Sequence, residues 1–244
     1  MMKQVLRSCM LVLMSVVSVN FSFAYFQSAG EGLTSTTGAV ALAKPANESI
    51  AFHDTTALNH TAVAPVYTDS KYQSCINRLK QQALLLKKYA ADNNYCTDYC
   101  FLVDMSVPSG KNRFFVYNLK TDSLELSSLV SHGHGSFKWD KPDQLEFSNQ
   151  PWSLKTSVGK YKIGAAYNGH YGEAYKLYGL DSSNSNAYER AIVLHAYKNM
   201  PDKETYPEHI IESVGCPAVS TTFLTELGKY IKPSKKPVLM WIYN

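Results

Sequence analysis

Between residues 71 and 92 the apolar side chains Cys75, Ile76, Leu79, Ala83, Leu86 and Ala90 recur at helical spacing, and this pattern predicts an α-helix. Beyond residue 100 the rhythm shortens. Segments rich in β-branched and aromatic residues recur at 101–105, 113–119, 124–130, 160–167, 174–180, 190–197 and 238–243. Turn signals such as Pro108-Ser109-Gly110-Lys111 and Asp181-Ser182-Ser183-Asn184 punctuate them. Seven strands of this kind predict a mainly β sandwich or barrel. A second helix is expected at residues 221–231, with Thr221 or Thr222 as cap and Phe223, Leu224 and Leu227 on its apolar side.

Composition narrows the class. The 244 residues are 45% hydrophobic and 18% charged, enough for one ordinary domain with appendages. Thirteen glycines and ten prolines without a three-residue period exclude a fibrous chain. No apolar run after residue 24 is long enough to cross a bilayer. The first 24 residues carry Lys3 and Arg7, an apolar stretch over 9–19, and Ser22-Phe23-Ala24 before Tyr25, the layout of a secretory signal peptide. An uncleaved anchor is the competing reading, although the apolar core is short for a span. With those two cations in the leader, the net charge falls from +4 to +2, too small an excess to argue for nucleic acid. Residues 25–70 are rich in Ala, Ser, Thr, Val and Asn without periodicity and read as a flexible linker. The domain is then 71–244.

Export makes cysteine usage informative. Outside the leader there are four: Cys75, Cys96, Cys100 and Cys216. Cys75 sits on the apolar stripe of the first helix and reads as a small buried residue. It lies about 25 Å of helix from the helix end, at 1.5 Å per residue, which disfavours a bond to Cys96. Cys96 and Cys100 are close enough to pair across a turn or to stay free. Cys216 is left over, in Ser213-Val214-Gly215-Cys216-Pro217-Ala218. A cysteine between glycine and proline sits where the chain turns sharply, and the backbone amides of Gly215 and Cys216 are candidate donors to an oxyanion. A neighbouring imidazole would raise the thiolate fraction. His195, closing the apolar segment Arg190-Ala191-Ile192-Val193-Leu194-His195, is the best candidate base. Each residue alone has a plainer structural explanation; the pair carries the chemistry.

These residues resemble the murein L,D-transpeptidases with a YkuD-type catalytic domain, in the branch whose cysteine motif ends Gly-Cys-Pro-Ala. The likeness spans about residues 71–244. It runs through Asp104-Met105-Ser106-Val107-Pro108-Ser109, Ser131-His132-Gly133-His134-Gly135-Ser136, Phe147-Ser148-Asn149, Ser157-Val158-Gly159-Lys160-Tyr161, Gly179-Leu180 and the 190–196 segment to 213–218. It implies a YkuD-like β domain with an N-terminal helix and a short helix after the cysteine. It also implies that Cys216 attacks the amide between an L- and a D-centre of a peptidoglycan stem peptide, with His195 as base. The thioester then passes to an amine. In the resemblance the carbonyl of Ala196 orients His195, and Ser213 matches the motif serine. Two positions depart from the pattern: Val214 stands where the commoner motif has histidine, and Trp152 stands where this branch has glycine.

Arg190 could meet a substrate carboxylate or make a structural contact. Trp152 and His170 are further substrate-side candidates, and the series Tyr161, Tyr167, Tyr171, Tyr175 and Tyr178 divides between core, surface and cleft wall. His132 and His134 with His170 or His209 could ligate a metal, but no ligand at helical spacing completes a set. No metal and no cofactor are expected. Water as acceptor would make the same site a carboxypeptidase or endopeptidase. A non-catalytic wall-binding protein and a papain-like protease are the remaining readings; in the latter the cysteine would precede its histidine.

Overall fold

The computed structural model describes residues 69–141 and 144–244. The expected signal peptide, and the expected linker up to residue 68, lie outside the described residues. The first helix, α1 (Asp69–Asp92), begins slightly before its expected start. It contains neither glycine nor proline, and Cys75, Leu79, Ala83, Leu86 and Ala90 are all buried on one stripe. Asn94, at φ 61°, takes the left-handed position that ends the helix, and the Tyr95 amide returns to the Ala90 carbonyl at 2.9 Å.

The strands are β1 (Tyr99–Asp104), β2 (Phe114–Asn118), β3 (Ser123–Ser128), β4 (Gly159–Gly169), β5 (Gly172–Gly179), β6 (Val193–Ala196), β7 (Ala218–Val219) and β8 (Leu239–Tyr243). They form one mixed sheet in the order β3-β2-β1-β8-β4-β5-β6-β7. The C-terminal strand β8 therefore joins two halves, parallel to β1 and antiparallel to β4. Alternation along β1 sends Cys100 and Leu102 to the α1 side, while Phe101 and Val103 enter the larger core on the opposite face.

That larger core is built on α2 (Thr221–Ile231), which lies where the sequence predicts it. Its cap differs: the Ser220 hydroxyl, not a threonine, accepts the Phe223 amide at 3.1 Å. Phe223 packs edge-on against Phe114 of β2 at 5.2 Å, and Gly228 lies beside the Tyr175 hydroxyl of β5. Strands β2 and β5 are four places apart in the sheet, about 19 Å if flat, whereas a helix is only about 10 Å across. The sheet must therefore curl around α2. Its two edges meet through the chain that leaves β3: the Ser131 amide donates to the Ala218 carbonyl of β7 at 2.9 Å, and Gly133 bridges Ser213. The expected sandwich or barrel is thus a single curled sheet with its edges stitched together.

Two sequence readings change. The predicted strand over 190–197 shortens to Val193–Ala196 because Ala191 adopts φ 54° and the Ile192 amide turns back to the Ala187 carbonyl. Cys96 and Cys100 are both free; Cys96 joins the α2-side core and Cys100 the α1-side core.

Candidate active site

The segment 213–218 makes a tight turn ahead of β7. The Ser213 hydroxyl donates to the Cys216 carbonyl at 2.6 Å and accepts the Gly215 amide at 3.1 Å. Ser213 is buried and holds the turn closed. Gly215 has φ 123°, and a Cβ there would come within 3.0 Å of the Lys155 carbonyl and 3.2 Å of an Arg190 nitrogen, so this position requires glycine. Of the two amides expected to face an oxyanion, that of Gly215 is committed to Ser213. The Cys216 amide has no hydrogen-bond partner among the described residues.

Cys216 is 8% exposed. Its Sγ accepts the Val193 amide at 3.4 Å and donates towards the Ala191 carbonyl at 3.8 Å. Burial pushes the thiol pKa up, while the Val193 N–H and the Arg190 guanidinium pull it back. Its hydrogen-bond partners at rest are thus both backbone groups that flank the start of β6.

His195 lies on β6 directly opposite Ala218 of β7, two residues beyond the cysteine. Its Nδ1 is 3.1 Å from the Ala196 carbonyl. A carbonyl can only accept, so Nδ1 carries the proton and Nε2 presents a lone pair. Burial lowers the His195 pKa, partly offset by the Ala196 carbonyl, and the imidazole rests neutral. Two aromatic rings fix its plane: Tyr171 stacks on it at 4.8 Å and 17°, and Tyr197 meets it edge-on at 4.8 Å and 87°. Such an arrangement can take a proton from a thiol that rotates away from Ala191 and return it to a leaving amine.

Arg190 meets no carboxylate among the described residues. Its guanidinium donates to the Ser148 carbonyl at 2.7 Å and the Lys155 carbonyl at 2.6 Å, tying the 148–155 loop to the cysteine turn. Trp152 is 93% exposed on that loop at φ 62°, followed by Leu154 at φ 55°. The left-handed conformation explains why glycine suits position 152. With Ala191, three of the five non-glycine residues at positive φ among the described residues surround the Cys216 turn, a concentration typical of functional sites. His170 is exposed at the β4–β5 turn and packs on Tyr171. Within the tyrosine series, Tyr161 and Tyr175 are core, while Tyr171 faces the histidine. Tyr197 was not singled out by the sequence, although it lies two residues past His195 and so on the same strand face. Ser131, named in the sequence only as part of a matched segment, accepts the Ala218 amide at 3.0 Å and braces β7.

The four other histidines among the described residues do not converge. His134 Nδ1 lies 2.5 Å from Glu212, and His132 Nε2 lies 3.6 Å from the same carboxylate. His209 faces Ser109, and His170 belongs to the β4–β5 turn. Among the described residues no three His, Cys, Asp or Glu side chains gather as a metal site. Burial, then the charges of Arg113, His209 and His134, lower the His132 pKa to about 3. A folded-state value below the unfolded one near 6.5 means that the unfolded chain takes up this proton first. The contribution is complete above pH 6.5 and is lost as pH falls from there towards 3, at about 1.4 kcal/mol per pH unit. Urea unfolding of wild type and His132→Gln between pH 6 and 4 should give a visibly shallower loss in the variant; equal slopes would refute this.

The chain matches the family model of the L,D-transpeptidase catalytic domain, YkuD_2, over residues 70–243. It belongs to this family. The L,D-transpeptidase domain thus occupies the region from α1 to β8. Among solved structures it is similar to Bd1075 of Bdellovibrio bacteriovorus, at 17% identity and TM-score 0.38, covering 60% of this chain and 48% of that one. It is similar to the helical cell shape determining protein Pgp2 of Campylobacter jejuni, at 16% identity and TM-score 0.39, covering 68% and 56%. An L,D-transpeptidase from Xylanimonas cellulosilytica matches at 12% identity and TM-score 0.35, covering 64% and 68%. The chain spans about half the length of the first two. No curated protein matches it. No helix among the described residues is long and apolar enough to cross a membrane.

Proposed function

We propose that this L,D-transpeptidase domain is an exported cysteine acyltransferase acting on peptidoglycan stem peptides, carried behind a 1–24 signal peptide and a 25–70 linker. The observation that carries the reading is the β6–β7 register, which sets His195 opposite Ala218 while its Nδ1–H is held by Ala196. In this reading the thiol rotates from Ala191 and gives its proton to His195 Nε2. The sulfur attacks the carbonyl carbon between the L- and D-centres, and the oxygen gathers charge beside the Cys216 amide. The C–N bond breaks, and His195 returns the proton to the departing D-residue. An incoming amine, deprotonated by His195, attacks the thioester carbon and releases the thiol. Ala196 orients the base, and Arg190 keeps the 148–155 loop against Gly215. Trp152 and His170 stand at the substrate side.

Incubation of the purified protein with stem peptides, followed by mass analysis, tests this. Cross-linked dimers with loss of one D-residue are expected. Shortened monomers would make water the acceptor, and no Cys216-dependent change would defeat both versions.

Trp152→Gly should separate folding from binding. An exposed tryptophan in the left-handed region costs about 1–2 kcal/mol, and glycine gives back about 0.5–1 kcal/mol of that as chain entropy. The variant should therefore be about 0.5–1 kcal/mol more stable in urea, with KM for the stem peptide raised several-fold. A destabilised variant would mean that the ring packs against the loop.

A further inference from the structure

A cavity of about 350 Å³ shares His132 with the segment that braces the Cys216 turn, but none of its lining residues belongs to that turn. Its lining holds three permanent cations, Lys71, Arg78 and Arg113, two imidazoles, His132 and His209, and no carboxylate. Asp104, which precedes Met105 of this wall, is taken by Arg78 at 2.9 Å and by the Ser106 amide at 3.0 Å. One cation is thereby neutralised.

Arg113 is the decisive residue. It is 1% exposed, and its guanidinium donates to the Val130 carbonyl at 3.0 and 2.8 Å, the Val107 carbonyl at 3.2 Å and His132 Nδ1 at 2.9 Å. All of these acceptors are neutral. Burial draws its pKa down to about 9, with Asp104 only partly opposing. A buried cation without a counter-charge in contact is costly, and a matching anion removes that cost. Because arginine can only donate, His132 Nδ1 must be the acceptor, so its proton sits on Nε2. That Nε2–H is buried and has no partner within hydrogen-bond reach, the Glu212 carboxylate standing 3.6 Å away. The inner wall thus holds a charged guanidinium and a spare donor, while exposed Lys71 and His209 stand towards solvent.

We propose that this cavity is a binding site for a small oxyanion, a carboxylate or a phosphate, separate from the Cys216 site. The volume suits a ligand of a few heavy atoms, and Lys71 at the mouth would draw it in. An anion bound here would lie one hydrogen bond from the cysteine turn, because the His132 carbonyl accepts the Ser213 amide at 2.8 Å.

Isothermal titration of the full chain with succinate, inorganic phosphate and neutral succinamide at constant ionic strength tests the site. Saturable binding of succinate or phosphate is expected, unchanged by Cys216→Ala and weakened at least fivefold by Lys71→Gln with His209→Gln, both on exposed residues. Binding of succinate alone would assign carboxylates, and of phosphate alone phosphoryl groups. The proposal fails if neither anion saturates, if succinamide binds equally, if the paired substitution changes nothing, or if Cys216→Ala abolishes binding.

Discussion

Cys216→Ala should abolish thioester formation and reduce turnover of stem peptides by at least about a thousandfold, because no other group on the site can form the covalent bond. The fold should survive. The substitution removes one sulfur atom that packs against backbone, while the turn itself is held by the Ser213 hydroxyl and the brace from Ser131. A change in urea stability of about 1 kcal/mol is the ordinary cost of such a truncation. Thiol labelling gives an independent readout. Cys75 is pushed up to about 11 by burial and by Asp104, and Cys100 is raised by burial and by Cys96. At Cys216 burial is opposed by the Val193 amide and Arg190. A small alkylating agent should therefore label Cys216 ahead of Cys75 and Cys100 in the native wild type, and Cys216→Ala should lose that label. Persistent turnover in the alanine variant, or labelling that ignores position 216, would remove this sulfur from the chemistry.

Much of this was legible in the sequence where the signal was local. The apolar stripe of α1 and the compact α2 have periods that chain-local packing enforces, and both helices lie within two residues of expectation. The longer strands also announce themselves, since alternate residues must enter one of two cores. β7 does not, because two residues carry no period; it exists only through its partners His195 and Ala196. The segment before β6 misleads for a related reason. Arg190-Ala191-Ile192 is apolar enough for a strand, yet Ala191 is bent into the left-handed region to face its carbonyl towards the thiol.

The candidate site divides in the same way. The role of the carbonyl beside His195 comes from the family resemblance, while Gly215 and Cys216 can be read from chain chemistry alone. The rings that clamp His195 cannot, since Tyr171 arrives only when the β4–β5 turn folds over β6. From the sequence, Ser213 stands as the motif serine on the substrate side and Arg190 as a partner for a substrate carboxylate. In the fold their donors satisfy backbone carbonyls, which a sequence cannot reveal.

His195→Ala should lower the acylation rate by about a hundredfold to ten-thousandfold at pH 7, the usual range for loss of a positioned base. The pH dependence identifies the cause. In wild type the thiol pKa is raised and the imidazole pKa lowered, so across neutral pH both groups rest uncharged. Acylation then requires the imidazole to be deprotonated: the rate should climb as pH rises through a value below 6.5 and stay level through neutrality. Without the imidazole, only thiolate already present can react. Its fraction grows tenfold per pH unit until the raised thiol pKa is reached, so the variant should climb steadily through pH 7 to 9 and show no acid step. Tyr171→Leu, which loosens the ring without removing it, should keep the wild-type step with a smaller amplitude. Matching pH profiles for wild type and His195→Ala would show that the imidazole does not govern the sulfur, and the acid step would then have to be sought in another group.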